Sequence, residues 1–239
     1  MDSLELNAFV ISETDYKDSH KIFTLFTDTH GVLSTVGYGA KSFKNKSSKI
    51  GIMVNAFFIL KKKKKNNEIS FIDEVKIIKD YRSLKYSIIW ESVPFFKFLK
   101  VIDFETEEEN RFIYIMLEKL FDSCKNDLEI FRVFSVSFIL KTLTYLKIIY
   151  IGKCSKCGQP VDIPFIDIYG DIKCSKCKSG SDISIDEKSY FDIHKMIYSK
   201  FEEIGLKSDE IDYFLIDKII KPKIGKSINE FRQKNPFGD

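Results

Sequence analysis

Two identical tetrapeptides, Cys154-Ser155-Lys156-Cys157 and Cys174-Ser175-Lys176-Cys177, stand sixteen residues apart. Two residues between cysteines let both sulfurs of a knuckle face one ion, and the intervening length can fold back as a hairpin to bring the second pair opposite. Gly158 and Gly180 follow the knuckles, where tight turns call for positive φ. Phe165 to Tyr169 reads as a strand, with Gly170-Asp171 turning the chain into Ile172-Lys173. Four thiolates fill a tetrahedral shell and leave no open position for water, so the expected cofactor is one structural Zn2+ per chain. Two disulfides of a secreted protein are the alternative, but such frameworks belong to far smaller chains and no signal-peptide pattern precedes the first strand.

Other chemistry is hard to find. Cys124 falls on the apolar stripe Ile113, Leu117, Leu120, as a buried small hydrophobe would, and the chain has only His20, His30 and His194 to pair with a thiol. No Ser/His/Asp set, phosphate loop or HExxH pattern occurs. Gly37-Tyr38-Gly39-Ala40-Lys41 is glycine-rich, but lysines and a strand follow it and not the helix N-terminus that holds a pyrophosphate. Glu107-Glu108-Glu109 reads as a solvated face before a helix. The expectation is a protein that binds and does not catalyse.

Charge points to what it binds. The net charge of +3 is modest, yet Thr29 to Asn67 holds nine lysines and no acid, whereas Asp103 to Glu109 holds five carboxylates in seven residues. Lys41, Lys44, Lys46 and Lys49 lie in one expected loop. Lys61, Lys62, Lys63, Lys64 and Lys65 continue a strand towards the next turn. Lysines spread over two loops can displace counterions along a nucleic-acid backbone. The plainer account is that a lysine run keeps an edge strand soluble and unpaired. Tyr38 and Phe43 are either stacking partners for bases or core residues.

The elements that must hold these groups follow from periodicity. Leu6, Ala8 and Val10 alternate, Ile22 to Thr27 is a second run, Asp28 to Gly31 a turn, and Val32 to Val36 a third run. Ile50, Ile52, Val54, Ala56, Phe58 and Leu60 share one face of a long half-buried strand, and Asn66-Asn67 turns into Ile69 to Ile78. Five short antiparallel strands suit a small barrel, either an OB-fold or an SH3-like one. Helical periods then begin: Leu84 to Val101 with a break or kink at Pro94, Asn110 to Cys124, and Leu128 to Tyr150, which is apolar nearly all round. Beyond the cysteines, Tyr190, Ile193, Ile197, Phe201 and Ile204 keep helical spacing, a helix starts at Ser208 and stops before Pro222, and Ser227 to Glu230 is a capping box. Residues 235–239 read as a loose tail. The apolar region Val133 to Ile151 carries Lys141 and Lys147, which fits a buried helix better than a membrane span, so a cytoplasmic protein without membrane contact is expected. The fold class is therefore α+β, with a five-stranded barrel over 1–80 and a helical domain over 81–239 interrupted by a zinc module at 152–180. A barrel with a zinc ribbon also suits a protein that binds structured RNA.

In order and extent the chain resembles the RecO family of bacterial recombination mediators. The strand at Ala8 to Ser12, the segment Glu13 to Asp18, Lys21-Ile22-Phe23-Thr24-Leu25-Phe26-Thr27 leading to Gly31-Val32-Leu33, the segment Val36 to Lys41, and the two cysteine knuckles with Tyr169-Gly170-Asp171 between them carry the likeness. Asp171 stands where the family often has a second glycine, and lysine replaces arginine after Lys41. The resemblance implies that the barrel is an OB-fold and that the protein is a non-enzyme of the nucleoid. It would bind single- and double-stranded DNA, anneal complementary strands, and act with RecR, often with RecF. In that company it would help RecA to replace the single-strand binding protein SSB. SSB has an acidic C-terminal tail, for which Lys218, Lys221, Lys223 and Lys226 beside Ile219, Ile220 and Ile224 offer a basic and apolar surface. The plainer account is that those isoleucines are core and the lysines solvated.

Overall fold

The computed structural model describes residues 3–42, 45–61 and 70–232. The N-terminal strands β1 (Ser3–Tyr16), β2 (His20–Thr27), β3 (Gly31–Gly37), β4 (Val54–Lys61) and β5 (Ser70–Asp80) close into a barrel of order β1-β2-β3-β5-β4, with β4 returning to pair with β1. Not every pairing is antiparallel as expected. β3 and β5 run parallel through Thr35↔Ser70 and Val36↔Phe71. That short parallel closure makes the barrel an OB-fold, a choice that periodicity left open between two barrels. Leu6, Ala8, Val10, Phe23, Leu25, Ala56, Phe58 and Leu60 fill its interior.

Two departures from strand alternation shape the barrel. The register of β1 against β2 shifts between Val10 and Ser12, and all four residues from Ala8 to Ile11 are buried. A bulge of this kind lets a long strand bend around a closed barrel. Phe9, ahead of the bulge and between the inward-facing Ala8 and Val10, points away from the barrel interior by ordinary alternation, onto Tyr81 at 5.8 Å and Tyr114 at 5.4 Å between ring centres. The long strand expected from Ile50 begins only at Val54. Met53 has φ +71°, and its backbone is pinned on both sides, its N–H to Val10 O at 3.0 Å and its carbonyl by Tyr81 N at 3.2 Å. Ile50 still reaches the barrel core, so its spacing forecast burial and not a strand.

The chain divides into two compact units at Glu118/Lys119. In the first, α1 (Tyr86–Val101) and the start of α2 (Glu107–Ser123) accompany the barrel. α1 runs unbroken through Pro94. α2 begins earlier than expected because Thr106 Oγ1 accepts Glu109 N at 3.1 Å while Glu109 Oε2 accepts the N–H groups of Glu105 and Thr106. This places Glu107 to Glu109 in the first turn, where the helix dipole favours acids. Ser92 Oγ reaches Met53 Sδ at 2.8 Å, and Tyr114 OH donates to Asn55 Oδ1 at 2.6 Å, joining these helices to the barrel.

The second unit is built on α3 (Leu128–Tyr145), capped by Asp127 and buried over most of its length. It ends before Tyr150, with Lys147 at φ +59° in the chain that follows. α4 (Glu187–Tyr198) stops sooner than the spacing implied, because the chain extends at Ser199 and Phe201 enters a separate 3-10 turn. Lys141 closes this end of α4 by donating to the carbonyls of Ile197 at 2.7 Å and Ser199 at 2.5 Å. Ser208 starts another 3-10 turn, and α5 (Tyr213–Ile224) is capped by Asp212, runs past Pro222 and ends on Gly225 at φ +68°. No helix among the described residues is long and apolar enough to cross a membrane.

Candidate functional site

Between α3 and α4 the two knuckles meet. The sulfurs of Cys154, Cys157, Cys174 and Cys177 all lie within 4.8 Å of one another, with Cys157 and Cys174 3.8 Å apart. Thiolates placed tetrahedrally about 2.3 Å from one ion would stand about 3.8 Å apart, so the set fits a metal of the zinc or iron type. Gly158 takes the expected positive φ, +71°, and its N–H donates to Cys154 O at 2.8 Å; Gly180 does not take a positive φ. The second knuckle is closed by acids: Asp182 accepts from Ser179 N at 2.8 Å and Lys173 Nζ at 3.1 Å, and Asp162 accepts from Ser175 N at 3.1 Å and Ser175 Oγ at 2.5 Å. Burial opposes ionisation of Cys154, but the N–H groups of Cys174, Cys157 and Lys156 outweigh it and bring the thiol down to about 6. Hydrogen bonding with Cys157, followed by burial, pushes Cys177 up to about 12. Backbone donors thus favour the Cys154 thiolate without a metal, whereas Cys177 needs an ion's charge to ionise. Cys124 is apart from this set, buried, its thiol donating to Phe121 O and its pKa raised by burial.

The knuckles frame a three-stranded sheet, β7-β6-β8, of β6 (Phe165–Ile166), β7 (Ile172–Lys173) and β8 (Ile183–Ser184). The strand expected to reach Tyr169 stops at Ile166, because Asp167 Oδ1 accepts from Tyr169 N and Asp171 N and bends the chain. β8 lies in the short alternating run Asp182-Ile183-Ser184-Ile185-Asp186 and was not among the strands expected from the sequence.

Of the lysines singled out in the sequence, Lys44 and Lys62 to Lys65 lie outside the described residues, as does Phe43. Lys41 pairs with Asp15 at 2.9 Å and Lys61 with Asp73 at 2.7 Å. Lys46 and Lys49 are exposed on a 3-10 turn and make no ion pair among the described residues. Exposed pairs are worth about 0–1 kcal/mol, so Asp15 and Asp73 are weak competitors for a phosphate.

The same edge of the barrel carries an aromatic group that the sequence only half disclosed. Tyr38 is 37% exposed, meets His20 edge-on at 4.9 Å and leans on Phe71 at 5.7 Å. Its presentation depends on the flanking glycines. A Cβ at Gly37 would stand 2.5 Å from the Phe23 ring, and Gly39 has φ +64° with Asn45 packed where a Cβ would be. Gly39 N donates to His20 Nδ1 at 3.1 Å, and Asn45 Nδ2 to Tyr38 O at 2.7 Å. His20 and Phe71 were missed because nothing in sequence places positions 20, 38 and 71 side by side; barrel closure does.

On α5, Ile219 and Ile220 are core residues and cannot form a binding face. Lys223 pairs with Asp171 at 2.5 Å and Lys226 with Glu230 at 3.1 Å. Lys218 and Lys221 remain exposed, with Lys218 Nζ 5.1 Å from the centre of the Phe214 ring.

Residues 1–81 match the family model for the N-terminal part of recombination protein O. A DNA repair protein RecO of Acetivibrio thermocellus is 23% identical over 231 residues, 92% of this chain and 89% of the relative. One from Clostridium acetobutylicum is 26% identical over 207 residues, 82% and 80%. A third, from Clostridium novyi, is 27% identical over 192 residues, 77% and 72%.

Proposed function

We propose that this chain, a member of the RecO family, is a non-catalytic DNA-binding protein of recombinational repair that anneals complementary strands and helps RecA to replace SSB. The observation that carries the reading is the OB barrel of the matched segment, with Tyr38, His20 and Phe71 grouped beside a lysine-bearing loop. Bases stack on rings of this kind whatever their identity, and lysines bind phosphates whatever the sequence. Annealing requires nothing more. Neutralised backbones at raised local concentration let two strands meet, and base pairing supplies the free energy.

Zinc is the metal proposed for Cys154, Cys157, Cys174 and Cys177, in a structural role, because four sulfur ligands leave no coordination position for a substrate. RecR is the proposed companion, with RecF in its company, and the acidic SSB tail is the proposed partner of Lys218 and Lys221. The test is annealing. The purified protein should speed pairing of complementary DNA strands already coated with SSB and should prefer single-stranded DNA to structured RNA. No acceleration, or a preference for structured RNA, would refute the proposal.

A further inference from the structure

α1 carries a second row of apolar side chains, on the side away from its core face. Tyr86, Trp90, Val93, Lys97 and Val101 recur at helical spacing and are exposed, Tyr86 by 74% and Trp90 by 44%, whereas Ile88, Phe95, Phe96 and Leu99 are buried. The two rings stack on each other, 6.1 Å between centres and 26° between planes. Lys100 stands on the same side as Lys97, and neither has an ion pair among the described residues. Burial, and after it the charge of Lys97, lowers the Lys100 pKa. The one acid of α1, Glu91, is about 100° round the helix from Trp90. The stripe is therefore apolar, aromatic at one end and cationic at the other.

A run of contacts inside one compact unit joins this stripe to the aromatic edge of the barrel. Asn45 Nδ2 holds Tyr38 O at 2.7 Å, and Asn45 Oδ1 accepts from Ser47 N at 3.0 Å to cap the turn Lys46–Lys49. At the far end of that turn Arg82 donates to Lys49 O at 2.9 Å, its own charge matched by Asp80 at 2.5 Å. Arg82 stands four residues before Tyr86, in the 3-10 turn that leads into α1. Along this run, exposed rings lie on either side of the exposed cations Lys46 and Lys49. The ligand that matches such a surface is anionic at short intervals and carries flat groups between its charges, which describes a single nucleic-acid strand.

We propose that a single DNA strand leaving the lysine turn continues along α1, its bases against Tyr86 and Trp90 and its phosphates on Lys97 and Lys100. The inference rests on the reading of the barrel as a DNA surface and adds a second stacking platform outside the barrel. Stacking takes up the face of a base and leaves its pairing edge free, so a strand held in this way can still meet its complement.

Trp90 is the single tryptophan of the chain, so intrinsic fluorescence reads this position alone. The full-length chain is titrated with an oligothymidylate of about thirty nucleotides, longer than one OB-fold holds. A fluorescein-labelled copy reports binding by anisotropy, and the unlabelled strand is used for tryptophan emission. Emission should be quenched, and Trp90 shielded from acrylamide, in step with binding. Tyr86→Ala, at a position too exposed to disturb the fold, and Trp90→Ala should each weaken binding at least about fivefold, and Trp90→Phe much less. Lys97→Glu with Lys100→Glu should reduce the slope of log affinity against log salt by about 0.7 for each phosphate no longer neutralised. A strand that binds while emission and acrylamide access stay unchanged would confine the DNA to the barrel and overturn the inference, leaving the DNA reading intact. Wild-type affinity in Tyr86→Ala would do the same, as would substitutions in the stripe that dissociate a dimer in sedimentation without altering DNA affinity. No binding of any strand would refute both readings together.

Discussion

Tyr38 shows how single residues set the surface proposed to meet nucleic acid. Gly37 and Gly39 lack the Cβ atoms that would strike Phe23 and Asn45, so the chain can turn sharply and leave the ring outside against His20 and Phe71. Tyr38→Ala should lower single-stranded DNA affinity by about 1–3 kcal/mol, about five- to 150-fold, without changing its salt dependence. Equal binding in a filter or anisotropy titration would show that the ring does not touch bases. Asp162 is the corresponding residue of the metal module, since its carboxylate holds both Ser175 N and Ser175 Oγ in the second knuckle, and these bonds keep it well below the usual carboxylate range. Asp162→Asn should weaken zinc retention roughly tenfold in a chelator competition, while far-UV circular dichroism of the loaded protein stays the same.

At the scale of elements, the 3-10 turn Lys46–Lys49 presents two exposed cations beside the barrel. Replacing Lys46 and Lys49 by Glu should weaken binding to all single-stranded sequences alike and reduce the slope of log affinity against log salt by about 0.7 for each phosphate that the protein no longer neutralises. An unchanged slope would assign the turn to solubility. The hairpin between the knuckles makes a different demand. Gly170 has φ +80° and sits against backbone carbonyls of α5, which cannot retreat as a flexible side chain would. Gly170→Ala should cost at least about 1 kcal/mol in thermal unfolding; a variant of wild-type stability would show that the hairpin is not seated there.

At the scale of the whole molecule, the matched N-terminal segment ends at residue 81, but the compact unit that contains it continues to Glu118. Phe9, Met53 and Asn55 face Tyr114, Ser92 and Glu118. A fragment of residues 1–81 should therefore melt below one of residues 1–123, or fail to stay soluble, because truncation uncovers these groups; equal melting temperatures would show the barrel to be self-sufficient. Much was already legible in the sequence. Metal ligation is local in its requirements, so the CxxC pairs named all four clustered sulfurs, and period-two spacing named Val54, Ala56, Phe58, Leu60 and Ile50 of the barrel's interior, though Ile52 lies outside that core. Helix ends were less legible, since Pro222 and Phe201 were overruled by packing and by extended backbone at Ser199. The parallel closure of β3 on β5, the grouping of His20, Tyr38 and Phe71, and the bond from Arg82 to Lys49 that joins the lysine turn to the start of α1 were decided only by the tertiary structure. Each joins residues distant in the chain, and spacing carries physical information only over the few residues that one helix turn, one strand or one metal ion can span.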